Sequence, residues 1–135
     1  MGTKKLVIEV PGEIKCIKDV SSEVLNMLSP YDIDNDRLFD IRLCTEEALR
    51  NAIEHGNDCN KKLPVKISCW VDDGKVNIEV EDKGSGYNPG LIPDPTDNGN
   101  LMKNSGRGVY LIKRLMDEVK FNKAGNVITM MKRIE

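Results

Sequence analysis

Residues 47–57 read Glu47-Ala48-Leu49-Arg50-Asn51-Ala52-Ile53-Glu54-His55-Gly56-Asn57. On an α-helix Glu47 and Asn51 lie four residues apart and so share one face, with Arg50 and Glu54 beside them. Leu38, Ile41, Cys44, Leu49, Ala52 and Ile53 supply the apolar side, so the spacing predicts a helix that starts near Asp36 and stops at Gly56. Such a helix packs one side against a core and keeps a polar, carboxylate-bearing side for something else. What it packs on is read from the flanking sequence.

Downstream, Val65 to Val71 and Lys75 to Glu81 alternate as strands around Asp72-Asp73-Gly74, an Asp-Gly pair suited to the positive backbone angles of a tight hairpin. Upstream, Lys5 to Val10 reads as a strand ended by Pro11-Gly12. Ile17, Val20, Val24, Leu25 and Leu28 then recur at helical spacing until Ser29-Pro30. From Tyr87 to Ser105 no period appears, and Pro89, Gly90, Pro93, Pro95 and Gly99 punctuate the stretch; loops of this length in compact domains are lids or binding loops. A third helix is expected from about Gly108 to Met116, followed by a hairpin of Val119–Phe121 and Val127–Ile134. The order is strand, helix, helix, strand, strand, lid, helix, strand, strand. Strict alternation is absent, which favours an α+β two-layer sandwich over a doubly wound parallel sheet.

The chain has 135 residues, enough for one domain, residues 1–135, that buries about two thirds of its unfolded surface. With 39% hydrophobic and 31% charged residues it reads as globular, and its formal net charge of -2 does not favour direct nucleic-acid binding. No apolar run approaches the roughly 20 residues of a membrane helix, and Met1-Gly2-Thr3-Lys4-Lys5 leads into a strand without a secretory segment, so a cytoplasmic location is expected. Cys16, Cys44, Cys59 and Cys69 form no C-x-x-C pair and read as reduced thiols. With His55 the only histidine, a zinc cage is not expected.

Three segments carry chemistry. Asn51 can offer an amide oxygen to Mg²⁺, which takes hard oxygen ligands, and Glu47 could accept a proton from an attacking hydroxyl. The alternative is a solvated face on which Glu46 and Glu47 merely pair with Arg50. Asp82 follows Val76, Ile78 and Val80 with inward parity; an inward carboxylate needs a partner, and the exocyclic amine of adenine is one. Gly84 and Gly86 would let backbone approach a purine, although Asp82 could instead only organise a turn. Gly106-Arg107-Gly108 ahead of Val109-Tyr110-Leu111-Ile112 places glycines at a helix start, where unsatisfied amides attract phosphate. There is no G-x-x-x-x-G-K-[ST] loop and no catalytic-loop or D-F-G set of a eukaryotic-type kinase. In this order the three segments read as an ATP site.

The same segments resemble a known superfamily. Residues 47–57 are similar to the N box of the GHKL ATPases, the group of gyrase, Hsp90, histidine kinases and MutL. Asp82-Lys83-Gly84-Ser85-Gly86 resembles its G1 box. Ser105-Gly106-Arg107-Gly108-Val109-Tyr110-Leu111-Ile112, with Met116-Asp117-Glu118-Val119, resembles the G2 region of the anti-sigma factor serine/threonine kinases. The resemblance spans about Ile8 to Ile134. It implies a Bergerat-type fold, with helices on one face of a mixed sheet and an ATP lid.

By position, the resemblance makes Glu47 the catalytic base, Asn51 the Mg²⁺ ligand, Asp82 the adenine acceptor, and Gly84, Gly86, Ser105, Gly106, Arg107 and Gly108 the nucleotide-binding backbone. His55 stands in a histidine slot of this branch. Two departures stand out. Lys103-Asn104 replaces an arginine that members of this branch place before the second glycine box, which makes Lys103 the substitute contact to the terminal phosphate. Gly125-Asn126 replaces Gly-Thr at the start of the last strand, which leaves Thr129 as the replacement hydroxyl.

The implied activity is an ATP- and Mg²⁺-dependent serine/threonine protein kinase that phosphorylates a small anti-sigma antagonist and binds a sigma factor, with homodimerisation. The other reading is an ATP-gated module that switches partners without transferring phosphate. A sensor histidine kinase fits less well, since no phospho-accepting helical domain precedes residue 1.

Overall fold

The computed structural model describes residues 5–57, 60–83 and 104–134, and of 104–107 the backbone alone. Five strands, β1 (Lys5–Pro11), β2 (Pro64–Asp72), β3 (Lys75–Glu81), β4 (Glu118–Phe121) and β5 (Val127–Arg133), and three helices, α1 (Ile17–Leu28), α2 (Asn35–Asn51) and α3 (Asn104–Leu115), follow one another in the expected chain order, β-α-α-β-β-α-β-β. The sheet runs β1-β2-β3-β5-β4. All four pairings are antiparallel, so the mixed sheet implied by the resemblance is corrected, while the α+β class stands. Short hairpins impose this direction on β2–β3 and β4–β5, and β5 meets β3 on the return of the second hairpin. In the first turn Asp73 and Gly74 have φ of 53° and 70°, the two positive angles a type I′ turn requires.

Period-two alternation sends Ile67, Cys69, Val76, Ile78, Val80, Ile128 and Met130 to one face, where they are buried. Val20, Val24 and Leu28 of α1, Ile41, Ala48 and Leu49 of α2, and Ile112 of α3 complete the core over that face. Burying each large aliphatic side chain fully is worth about 1.5–3 kcal/mol, so this layer contact is what fixes α2 and its polar face on the sheet. Lys132 adds a polar tie: its Nζ donates to the Leu115 carbonyl at 2.5 Å and lies 3.4 Å from an Asp40 carboxylate oxygen. One β5 side chain thereby holds the end of α3 and the middle of α2 together.

The helix ends have local causes. Asp34 is the N-cap of α2, its side chain accepting from the Arg37 amide at 2.8 Å, which sets the start one residue before the expected Asp36. That amide, the first of several causes, holds the Asp34 carboxyl below its ordinary 3.8. At the other end α2 runs into a π-helical turn, Ala52–Gly56, closed by the Asn57 amide donating to the Ala52 carbonyl at 2.8 Å. The third helix begins at Asn104, four residues before the sequence expectation, so Gly106 and Gly108 lie inside its first turns.

One core position is imperfect. Ser21 of α1 is 2% exposed, and among the described residues its Oγ has no hydrogen-bond partner. An orphaned buried hydroxyl costs about 1–3 kcal/mol, and alanine is also the better helix former. Ser21→Ala should therefore raise the thermal midpoint by roughly 3–8 °C in a calorimetric scan; a lower midpoint would show that the hydroxyl is used.

Burial pushes the thiols of Cys44 and Cys69 up to about 12, so both stay protonated and unreactive at neutral pH. Among the described residues no helix is long and apolar enough to cross a membrane.

Candidate active site

The polar face of α2 meets the start of α3 around a cavity of about 560 Å³ lined by Glu47, Arg50, Asn51, Glu54, His55 and Gly108, with Tyr110 and Leu111. Glu47 uses Oε1 to accept from Arg50 Nη1 at 2.8 Å. A Cβ placed on Gly108 would lie 3.0 Å from Glu47 Oε2, so glycine lets the two helices close at this carboxylate. The ion pair foreseen for a solvated face does form, with Glu47 and without Glu46. Its side chains are 23% and 42% exposed, and a pair of this kind on a helix is worth about 0.3–0.5 kcal/mol. That is too little to keep Glu47 from a better partner.

Because α3 starts at Asn104, the amides of Asn104, Ser105 and Gly106 have no intrahelical acceptor, and that of Arg107 is the first to enter the helical ladder. Amides of this kind, together with the helix dipole, attract negative charge. Gly108 is the fifth helical residue. Its part is clearance for Glu47 rather than a free donor.

Asp82 lies at the end of β3, 3% exposed, flooring a narrow cleft walled by Ala48, Ala52, Val80 and Ile128. Asn51, itself 6% exposed, lines both this cleft and the larger cavity and so joins them. The cleft holds about 10 Å³, the space of one water, and a planar base enters only as its walls part. The Asp82 carboxylate rests against Gly56, where any Cβ would overlap it. Asn57, 1% exposed, accepts from the Lys83 amide at 2.8 Å through Oδ1 and donates through Nδ2 to the Leu63 and Pro64 carbonyls at 3.1 and 3.3 Å. From the other side, the Asp82 amide donates to the Asn126 carbonyl at 2.9 Å, and Asn126 Nδ2 donates to the Asp82 carbonyl at 3.3 Å. Asp82 is therefore held by the end of α2 and by the β4–β5 turn at once.

The fold thus brings Glu47, Asn51, Asp82 and Gly108 to one surface, with the backbone of Ser105, Gly106 and Arg107 at its edge. It does not bring Thr129. That side chain projects from the opposite face of the sheet, its Oγ1 donating to Glu79 Oε2 at 3.3 Å, because it alternates with the buried Ile128 and Met130. Gly84, Gly86 and Lys103, and the proposed lid up to Lys103, lie outside the described residues. His55 is exposed and lines the large cavity. Sequence reasoning missed Gly56, Asn57 and Asn126 as supports of Asp82. The available signal was an Asn directly after a helix-ending Gly, and Asn126 following Gly125, whose φ is 75°.

Comparison with known proteins bears on the same surface. The model of the family described as "Histidine kinase-like ATPase domain" matches residues 10–132. The serine-protein kinase RsbW of Staphylococcus aureus (strain MSSA476) is 26% identical, the match covering 100% of this chain and 91% of that protein. RsbW of Staphylococcus epidermidis is 24% identical, over 95% of this chain and 86% of that one. RsbW of Oceanobacillus iheyensis is 26% identical over 70% of this chain and 63% of its own length. A crystal structure of the RsbU and RsbW domains of a Mycobacterium tuberculosis protein aligns with a TM-score of 0.66 at 23% identity, covering 98% of this chain and 33% of that one, a likeness of fold. With its family match running from β1 to β5 across both hollows of the site, this chain belongs to the histidine kinase-like ATPase domain family.

Proposed function

We propose that the chain is a single-domain, ATP-dependent serine/threonine protein kinase and anti-sigma regulatory factor of the cytoplasm, acting on a small anti-sigma antagonist, binding a sigma factor and pairing with a second copy of itself. The observation that carries this reading is the position of Asn51, which joins the cleft floored by Asp82 to the cavity that holds Glu47. A base recognised at one end and phosphates handled at the other is the division a nucleoside triphosphate requires.

The residues fit ATP and Mg²⁺. The narrow cleft offers apolar walls and one buried carboxylate, a match for a purine with an exocyclic amino donor. The large cavity lies within the usual range for small-molecule sites, about 300–1,000 Å³. Mg²⁺ takes one or two protein oxygens and completes its shell with phosphates and water. Asn51 would supply the amide oxygen, and the bound ion would neutralise phosphate charge.

The remaining chemistry belongs to the chain. Phosphoryl transfer asks mainly for positioning and charge neutralisation. The α3 amides fix the phosphates. Glu47 orients the target hydroxyl and takes its proton as that oxygen bonds to the γ-phosphorus; the bond to the β–γ bridging oxygen breaks, and ADP leaves with the electron pair.

The reading is tested by capturing partners from native cytoplasm with and without ATP, then adding γ-³²P-ATP and Mg²⁺. Label on a serine or threonine of a small captured protein is the expected result. Firm ATP binding with no label on any partner would leave an ATP-gated switching module, and failure to bind ATP at millimolar concentration would remove the nucleotide site altogether.

A further inference from the structure

We propose that Arg50 is an exchangeable phosphate contact: it holds Glu47 while the cavity lacks a triphosphate and moves to the terminal phosphate when ATP enters. This rests on the ATP reading above and deepens it. Two carboxylates, Glu47 and Glu54, line the cavity, and a polyphosphate would meet them unfavourably. Among the described lining residues Arg50 is the only side chain with a permanent positive charge. A guanidinium has five N–H donors, and among the described residues Arg50 uses Nη1 toward Glu47 Oε1. The side chain is 42% exposed, so it can swing without dismantling packing.

The direction of exchange follows from charge and shape. A terminal phosphate carries more negative charge than one carboxylate and accepts a planar guanidinium fork bidentately. When Arg50 leaves, Glu47 Oε1 is released beside a group that now has a phosphate to transfer. After transfer ADP lacks that phosphate, and Arg50 returns to Glu47. The availability of the proton acceptor is thereby tied to the presence of the γ-phosphate.

The test compares ATP and ADP affinities by calorimetry, and KM for ATP with kcat, in wild type, Arg50→Ala, Arg50→Lys and Glu47→Gln, with circular dichroism as the check on folding. Arg50→Ala should weaken ATP binding about 10- to 100-fold and ADP binding by less than about threefold, raising KM for ATP in step, and Arg50→Lys should recover part of the difference. Glu47→Gln should keep the preference for ATP. Equal losses for both nucleotides, or no change in either, would overturn the assignment of Arg50. A wild-type protein that binds neither nucleotide would instead overturn the ATP reading beneath it.

Discussion

Glu47→Gln should lower phosphoryl transfer by about 10²- to 10⁴-fold while ATP still binds, the range a positioned general base contributes. The substitution is nearly isosteric. A glutamine amide oxygen can still accept from Arg50, as Glu47 Oε1 does at 2.8 Å, and the contact across Gly108 keeps its width. What is removed is the ability to take a proton. Glu47→Ala would be harder to interpret, because it also empties space between α2 and α3 and strips Arg50 of its partner. Single-turnover transfer from γ-³²P-ATP, with nucleotide affinity measured on the same sample, separates the two effects. Undiminished transfer in the glutamine variant would exclude Glu47 as the base and leave charge neutralisation as the main source of catalysis.

Gly56→Ala should cost ATP affinity far more than it costs folding. Among the described residues Gly56 is not one of the glycines with positive φ, so its backbone tolerates alanine, and helix propensity alone would favour the change by about 1 kcal/mol. The added methyl, however, overlaps the carboxylate of Asp82. Overpacking of this kind costs about 1–3 kcal/mol unless the neighbour moves, and here the neighbour is the end of a side chain. Relief is therefore available by turning Asp82 away, which spares stability and displaces the carboxylate proposed to read the base. Losing a hydrogen bond to a charged group is worth about 1.5–3 kcal/mol, so ATP affinity should fall roughly 10- to 150-fold with a thermal midpoint only a few degrees lower. Calorimetric titration beside a melting curve decides it; unchanged affinity would show that Asp82 does not read the base.

The order of elements was legible because each has a local signature. Val76, Ile78 and Val80 announce a strand by alternation, Asp73-Gly74 announces its turn, and the 3.6-residue spacing from Ile41 to Ala52 announces α2. The start of α3 was not, because Gly106 and Gly108 are poor helix formers, so the sequence reads as opening the helix only at about Gly108. Thr129 was misplaced by neglecting the parity that had correctly turned Asp82 inward. The supports of Asp82 are invisible to local reading for another reason. Asn57 reaches Lys83 across 26 residues and Asn126 reaches Asp82 across 44, distances at which only the folded sheet order supplies proximity. The antiparallel sense of the whole sheet is likewise a property of strand order, which no single segment contains.

The π-helical turn at Ala52–Gly56 makes the length of this segment a matter of phase. Removing one residue there would let the turn relax into ordinary α-helix with its backbone bonds intact, and the core facing Ala48 and Leu49 would scarcely register the loss. Because a π turn is an α-helical turn holding one extra residue, that deletion would leave the positions beyond it near their present phase, whereas a deletion within α2 ahead of the turn would rotate them by about 100°, the angle of one helical residue, carrying Gly56 away from Asp82 and Asn57 away from the Lys83 amide. The extra residue of the turn is thus the one place in this segment where chain length and phase are uncoupled.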